Sequence, residues 1–294
     1  MTSDKIVKLT NNIKNIPTLP AVVTRVMQIT HNPDSTIEDL LKAISPDVGI
    51  TTSIIKLSNS PLFGQIKQVS SLKQALTILG FNEIRNMVLT KAVFNCFNHL
   101  KNNDCFDIRK FWEHCFLCGL SAKLIASEIG QPESDFFVGG LIHDIGKLII
   151  LMALPEEFKK INEISHSTKC SACKAEKQIM GSTHEKIGLI LIKRWMFPEN
   201  LLAAVGYHHQ PQKAEKYKIF SIVTCLADIL VHLSKIPLEE IYESDMKNRF
   251  RQSRVTALAE SHGIKWNEIT VTNFLECLAE LKESEAGTLD LLLS

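Results

Sequence analysis

Apolar residues recur at three- and four-residue spacing along almost the whole chain, and this periodicity commits it to helices. "LPAVVTRVMQITHN", "TIEDLLKAIS", "PDVGITTSIIKLSN", "SLKQALTILG" and "NEIRNMVLTKAVFNCF" each carry an apolar stripe at helical spacing, and no segment reads as a convincing strand. Start and stop signals agree. Ser35 with Glu38, Ser71 with Gln74, and Ser182 with Glu185 match the capping box, in which residue and partner three positions on satisfy each other's exposed backbone donors. Pro20 and Pro46 sit where a first-turn proline would go, and Gly80 follows "LKQALTIL" as a helix-ending glycine should. The expected fold class is all-α.

The polar, turn-rich "LKNNDCFD", residues 100 to 107, reads as a joint. It separates an N-terminal helical lobe over residues 1–100 from a more apolar helical core over 104–235. Charge density rises again in "SKIPLEEIYESDMKNRF", ahead of a C-terminal extension over 236–294 that reads as the helix pair "VTALAESHG" and "VTNFLECLAELKES". A chain of 294 residues, 45% of them hydrophobic, can bury a substantial core. The 33 basic and 32 acidic residues leave a formal charge of +1 and form no basic stripe, so a nucleic-acid partner is not indicated. The N-terminus lacks the apolar core of a signal peptide, and runs such as "LIILMAL" fall short of the roughly 20 residues that span a bilayer. A soluble, cytoplasmic protein with no membrane contact is expected, its eight cysteines reduced as in a bacterial-type cytosol.

"GGLIHDIGKLII", residues 139 to 150, sets His143, Asp144 and Lys147 in an otherwise apolar run. An ionised carboxylate there is costly unless it is paired or bound to a cation. Lys147, three residues on, supplies a pair, so an ion pair and a metal site both account for the doublet. Other imidazoles follow the same pattern of one polar ring in apolar surroundings. His114 lies on "FWEHCFLCGLSAKLIA" among Leu117, Leu120 and Leu124; His184 lies in the first turn of "HEKIGLILIKRW"; His208 and His209 end a helix stopped by Pro211. Tandem neutral imidazoles are good ligands for Fe, Mn or Zn. Asp228 is the only carboxylate between Ile219 and Leu233, and a pair with His232, one turn on, is its alternative role.

The order His, His-Asp, His, His-His, Asp over successive helices resembles the HD superfamily, named for that doublet. The resemblance implies one metal held by His114, His143, Asp144 and Asp228, and a second supported by His184, His208 and His209, with Asp144 bridging. "IPTLPAVVTRVMQIT", "SNSPLFG", "SLKQALTILG", "FFVGGLIHDIGKL" and "HEKIGLILIKRWMFP", in that order, narrow the match to the HDOD family, the HD-related output domain of bacterial signalling proteins, over residues 14 to 230. That family implies a regulatory module acting through a signalling protein partner or a nucleotide second messenger, its input arriving through another molecule. HD-type enzymes instead hydrolyse phosphate esters with one or two divalent ions (Fe, Mn or Zn), which here would make Asp144 and Lys147 catalytic, Lys147 meeting the phosphate. The regulatory reading leads and the hydrolase is its alternative. Relatives that cleave cyclic di-GMP carry a Gly-Tyr-Pro segment after the paired histidines and a glutamate one turn before the first histidine; this chain has "HHQPQKAEKYKIF" and Lys110, so that activity is not expected.

The cysteines offer a third possibility. Cys115 with Cys118, and Cys170 with Cys173, form two C-x-x-C pairs, yet Cys170 follows Cys118 by 52 positions, against the roughly 15 to 20 of zinc ribbons. Small apolar thiols are the expected reading, with the second pair a candidate redox pair on a polar surface. Nothing in the sequence specifies an oligomeric state.

Overall fold

The computed structural model describes residues 17–32, 34–63, 68–102, 106–235 and 254–294, and among these the regular structure is helical, with no strand. The first lobe is built from α1 (Ala21–His31), α2 (Ile37–Ile44), α3 (Val48–Ser58) and α4 (Leu72–Phe97). The first three pack on α4, burying Val23, Leu40, Ile54 and Ala75 along the shared seam. α4 is two helices in one. Gly80 breaks it with φ +82° and ψ 178°, a conformation reached almost only by glycine, so "SLKQALTIL" and "NEIRNMVLTKAVFNCF" are separate helical segments as the sequence indicates.

The second lobe winds around α5 (Ile108–Glu128), which packs on α6 (Glu133–Ile142) and α12 (Lys218–Leu233). Between these run α7 (Ile145–Ala153), α8 (Pro155–Thr168), α9 (Ala172–Met180), α10 (His184–Arg194) and α11 (Glu199–Tyr207). Buried residues of the first lobe and much of the second form one continuous apolar cluster, from Val23 through Trp112, Leu148 and Leu201 to Leu292. A polar clamp crosses the same junction: Asp135 at the start of α6 pairs with Arg85 and accepts hydrogen bonds from Asn86 (2.7 Å) and Asn200 (2.8 Å). A second cluster, including Phe136, Leu226, Trp266 and Phe274, joins α5 and α12 to the C-terminal helices.

Those helices are α13 (Arg254–Ser261), α14 (Glu268–Ser284) and α15 (Ala286–Leu293), so the expected pair is extended by a third. "GTLDLLL" is short, but Leu289 and Leu292 are buried against the junction of the two lobes, and this packing sustains a helix that length alone would leave marginal. Most of the charge-rich stretch before α13, residues 236–253, lies outside the described residues.

Local signals differ from expectation in small ways. The capping box of α2 is Thr36 with Asp39, one residue after the expected Ser35 and Glu38. Ser71 caps α4 as expected, although Gln74 accepts its bonds from Ser70. Pro20 is an N-cap rather than a first-turn residue, and Pro46 precedes the capping Asp47 of α3. Thr183, not Ser182, stands at the N-cap of α10, and Glu185 is diverted to another partner in the site described next.

Candidate metal centre

All seven candidate ligands meet at one place. His114 comes from the second turn of α5, and His143 and Asp144 from the junction where α6 ends and α7 begins. His184 opens α10, His208 and His209 follow the last turn of α11, and Asp228 lies on α12. Two close helix crossings bring these elements in. A Cβ on Gly140 would sit 2.5 Å from the carbonyl oxygen of Cys118, and one on Gly146 only 2.0 Å from that of His184, so α6 reaches α5 and α7 reaches α10 only because both residues lack a side chain.

Asp144 is the hub. It occupies the N-cap position of α7, yet its carboxylate makes no capping bond and faces the cluster instead. Oδ2 pairs with Lys147 and lies 3.3 Å from His143 Nε2 and 3.7 Å from His114 Nε2. Oδ1 lies 3.0 Å from His184 Nε2 and 3.7 Å from His208 Nε2. The carboxylate thus divides the imidazoles into two sets. Asp228 Oδ1 closes the first, 3.2 Å from His114 and 3.9 Å from His143, while His209 Nε2 closes the second, 3.2 Å from His184 Nε2.

Several rings are oriented from behind. His143 Nδ1 lies 2.7 Å from the carbonyl of Gly140, and His208 Nδ1 3.0 Å from that of Val205. A carbonyl only accepts, so both Nδ1 atoms donate, and in the neutral rings Nε2 carries the lone pair that faces the site. His184 Nδ1 is held at 2.8 Å by Glu176, a carboxylate behind the imidazole of the kind that positions metal ligands.

The electrostatics are those of tightly coupled buried carboxylates and imidazoles. Burial alone would raise the Asp144 carboxyl, but the facing His143, Lys147 and His184 outweigh it and hold it well below the usual range. Burial likewise opposes ionisation of Asp228, and hydrogen bonds from His114 and His232 hold it low. His208, fully buried and crowded by His209 and His143, is pushed well below the ordinary imidazole range, and burial lowers His114 too. His184 goes the other way: burial disfavours its charge, yet Asp144 and Glu176 raise it strongly.

The donor set fits a metal. Asp144 Oδ1 and His143 Nε2 are buried, at 2% and 1% exposure, and neither makes a hydrogen bond. Both atoms rely on ion-pair neighbours within the cluster, and a coordinated cation would take up the lone pairs they direct into it. Three groups of possible ligand atoms lie mutually within 4.8 Å among the described residues: His114, Cys118, His143 and Asp228; Asp144, His184, His208 and His209; and Cys173, Glu176 and His184.

Both simpler roles also occur. Lys147 pairs with Asp144, and His232 Nδ1 lies 3.2 Å from Asp228. The two C-x-x-C pairs stay apart: Cys118 Sγ lies against His114, Cys173 Sγ against His184, and among the described residues no group of four thiols forms. Cys170 and Cys173 are half-buried, not an exposed pair. Lys110 projects into solvent beside Asp107. Sequence reasoning missed Glu176 and read Glu185 only as a capping partner of Ser182. Glu185 accepts the backbone N–H of His209 at 3.1 Å, and neither residue bears a fixed spacing to its partner that would mark it in the sequence.

Residues 133–153 are long and apolar enough to cross a membrane, contrary to the sequence reading, but 78% of the stretch is buried in the fold and His143 and Asp144 divide it.

Comparison with known proteins sets this geometry in context. An uncharacterized protein of Treponema pallidum is 26% identical over 242 residues; the match takes in 80% of this chain, which spans about half (46%) of that relative's length. A crystal structure from Shewanella amazonensis, described provisionally as a phosphohydrolase, superposes with TM-score 0.75 at 22% identity, covering 99% of this chain and 98% of the other. One from Marinobacter aquaeolei, described provisionally as a signal transduction protein, gives TM-score 0.74 at 18% identity, covering 99% and 65%. Residues 16–211 match the HDOD domain, a span that holds every candidate ligand except Asp228, and the chain belongs to the HDOD family.

Proposed function

We propose that this chain is a signalling module with an intact HD-type metal centre, and that the centre binds and hydrolyses the phosphate group of an ester or nucleotide. The observation that carries the reading is the division of the Asp144 carboxylate between two imidazole sets, with one of its oxygens buried and without a hydrogen bond. His114, His143, Asp144 and Asp228 would hold one divalent ion, and His184, His208 and His209 a second that shares Asp144. Such ions neutralise phosphoryl oxygens and supply an activated water near neutral pH.

The chain's own residues account for the rest. Glu176 orients His184 through Nδ1, and Glu185 fixes the backbone at His209. Lys147, 27% exposed at its side chain, pairs with Asp144 at the rim of the cluster, and its ammonium would be the group placed to meet a phosphate oxygen as a point charge. The signalling role rests on family membership and on the likeness to a protein described as acting in signal transduction.

A second reading, binding of a nucleotide or protein partner without turnover, is favoured by Lys110, which stands exposed where the phosphodiesterase relatives carry a glutamate. Elemental analysis of protein purified without chelator tests the centre: one or two equivalents of Fe, Mn or Zn are expected, falling at least tenfold in Asp144→Asn. Hydrolysis of phosphate esters by the loaded protein supports turnover. Loaded protein that binds nucleotide but releases no phosphate selects the second reading, and metal-free, folded protein sinks the centre.

A further inference from the structure

We propose that Cys118 is a further, thiolate ligand of the ion assigned above to His114, His143, Asp144 and Asp228, and that it selects zinc or another thiophilic divalent ion over manganese or magnesium. The inference rests on the metal centre proposed above and names the ion class of its first half.

Cys118 lies one turn beyond His114 on α5, so both side chains share a face of the helix. Its sulfur is 3.7 Å from His114 Nε2, and sulfur, both imidazoles and the Asp228 oxygen lie within 4.8 Å of one another. The residue is fully buried, which removes it from solvent oxidants and leaves the cluster as its surroundings. His143 Nε2 opens into the same group, buried and without a hydrogen bond.

The separations are close to those of atoms bonded to one small ion. Bonds of about 2.3 Å to sulfur and about 2.0–2.1 Å to nitrogen or oxygen set neighbouring ligand atoms roughly 3.3–3.6 Å apart. The sulfur to His114 Nε2 separation of 3.7 Å and the His114 to Asp228 separation of 3.2 Å bracket that range, while His143 Nε2 to Asp228 at 3.9 Å would close by a few tenths of an ångström, and the sulfur, 4.0 Å from His114 Nδ1, would turn toward Nε2. On binding, the thiol releases its proton to solvent as the metal–sulfur bond forms, one proton per site. A thiolate favours zinc, and disfavours the oxygen-preferring manganese and magnesium.

The other nearby thiols are placed differently. Cys173 lies 4.0 Å from His184 Nδ1, the nitrogen already held by Glu176, and therefore behind the ring rather than on its metal-facing side. Cys115 is buried three residues before Cys118 and belongs to none of the clusters of metal-ligating atoms.

The test uses the full chain, stripped with chelator and reloaded with cobalt(II). A near-ultraviolet sulfur-to-cobalt charge-transfer band is expected, lost in Cys118→Ser and retained in Cys115→Ser and Cys173→Ser. The zinc-over-manganese preference falls at least about tenfold in Cys118→Ser, since displacing even an outer-shell partner commonly costs that much. Because a buried substitution can impair folding, X-ray absorption of the zinc-loaded unmodified chain provides a second measurement, with a sulfur scatterer expected at about 2.3 Å. Cobalt bound without the band, a band that survives Cys118→Ser, or a zinc shell of nitrogen and oxygen alone overturns the role of Cys118 and leaves the metal centre standing. Binding of iron or manganese but not of cobalt or zinc likewise overturns the role of Cys118 alone, and failure of the folded, unmodified chain to bind any of these ions overturns both.

Discussion

Glu176 shows how much of the site lies one residue beyond the ligands. Its carboxylate holds His184 from behind and accepts the backbone N–H of the same residue, so Glu176→Gln is expected to weaken metal binding by about 10–100-fold while the fold persists. A competition titration against a chelator reads the change. Glu83 tests burial away from the centre. Burial pushes its carboxyl up, and the Ser134 hydrogen bond and the Lys123 charge oppose this only in part. Its folded pKa therefore lies above its unfolded one, so the associated stability is present below the unfolded pKa and is lost as pH rises through the folded value. Glu83→Gln should raise the thermal midpoint at pH 7 and lose that advantage below about pH 4, near the carboxyl's ordinary titration. The candidate ligands were legible in the sequence because isolated histidines and aspartates in apolar helices are costly without a reason, and because their order resembles the HD superfamily. Glu176, in a polar helix and eight residues from His184, carries no such contrast.

At the scale of elements, the site depends on helices that approach more closely than side chains normally allow. Gly146→Ala would drive a Cβ into the His184 carbonyl, separating α7 from α10 and with them Asp144 from His184. A loss of about 3 kcal/mol or more is expected, together with loss of metal, measured by denaturant titration and elemental analysis. Gly80→Ala differs in kind, because a Cβ there would meet nothing within 4 Å. Its cost is conformational alone, about 1–3 kcal/mol, and metal content should be unchanged. Helix identity and the break at Gly80 were readable from periodicity and from glycine's place in it. The cap of α10 was not, because Ser182 and Glu185 match the capping pattern while tertiary partners claim Glu185 and leave Ser182 buried without a hydrogen bond.

At the scale of the whole molecule, α15 closes the junction between the lobes. Lys91, buried in α4, donates to the carbonyl of Leu292 at 3.1 Å, and Leu289 and Leu292 join the principal core. Truncation after residue 285 should cost about 3–6 kcal/mol from those two leucines alone and expose an apolar surface that binds a hydrophobic dye; an unchanged midpoint would contradict the packing. The all-helical class, the approximate extent of most helices and the candidate ligand set follow from the sequence by itself, since periodicity and misplaced polar residues are local properties. Tertiary structure alone decided which Asp144 oxygen faces which imidazoles, that Glu176 stands behind His184, that the Cys118 sulfur lies beside His114, His143 and Asp228, and that the last helix packs at the lobe junction. Each of these depends on how distant helices cross, and crossing geometry is set by the packing of both partners, which neither segment encodes alone.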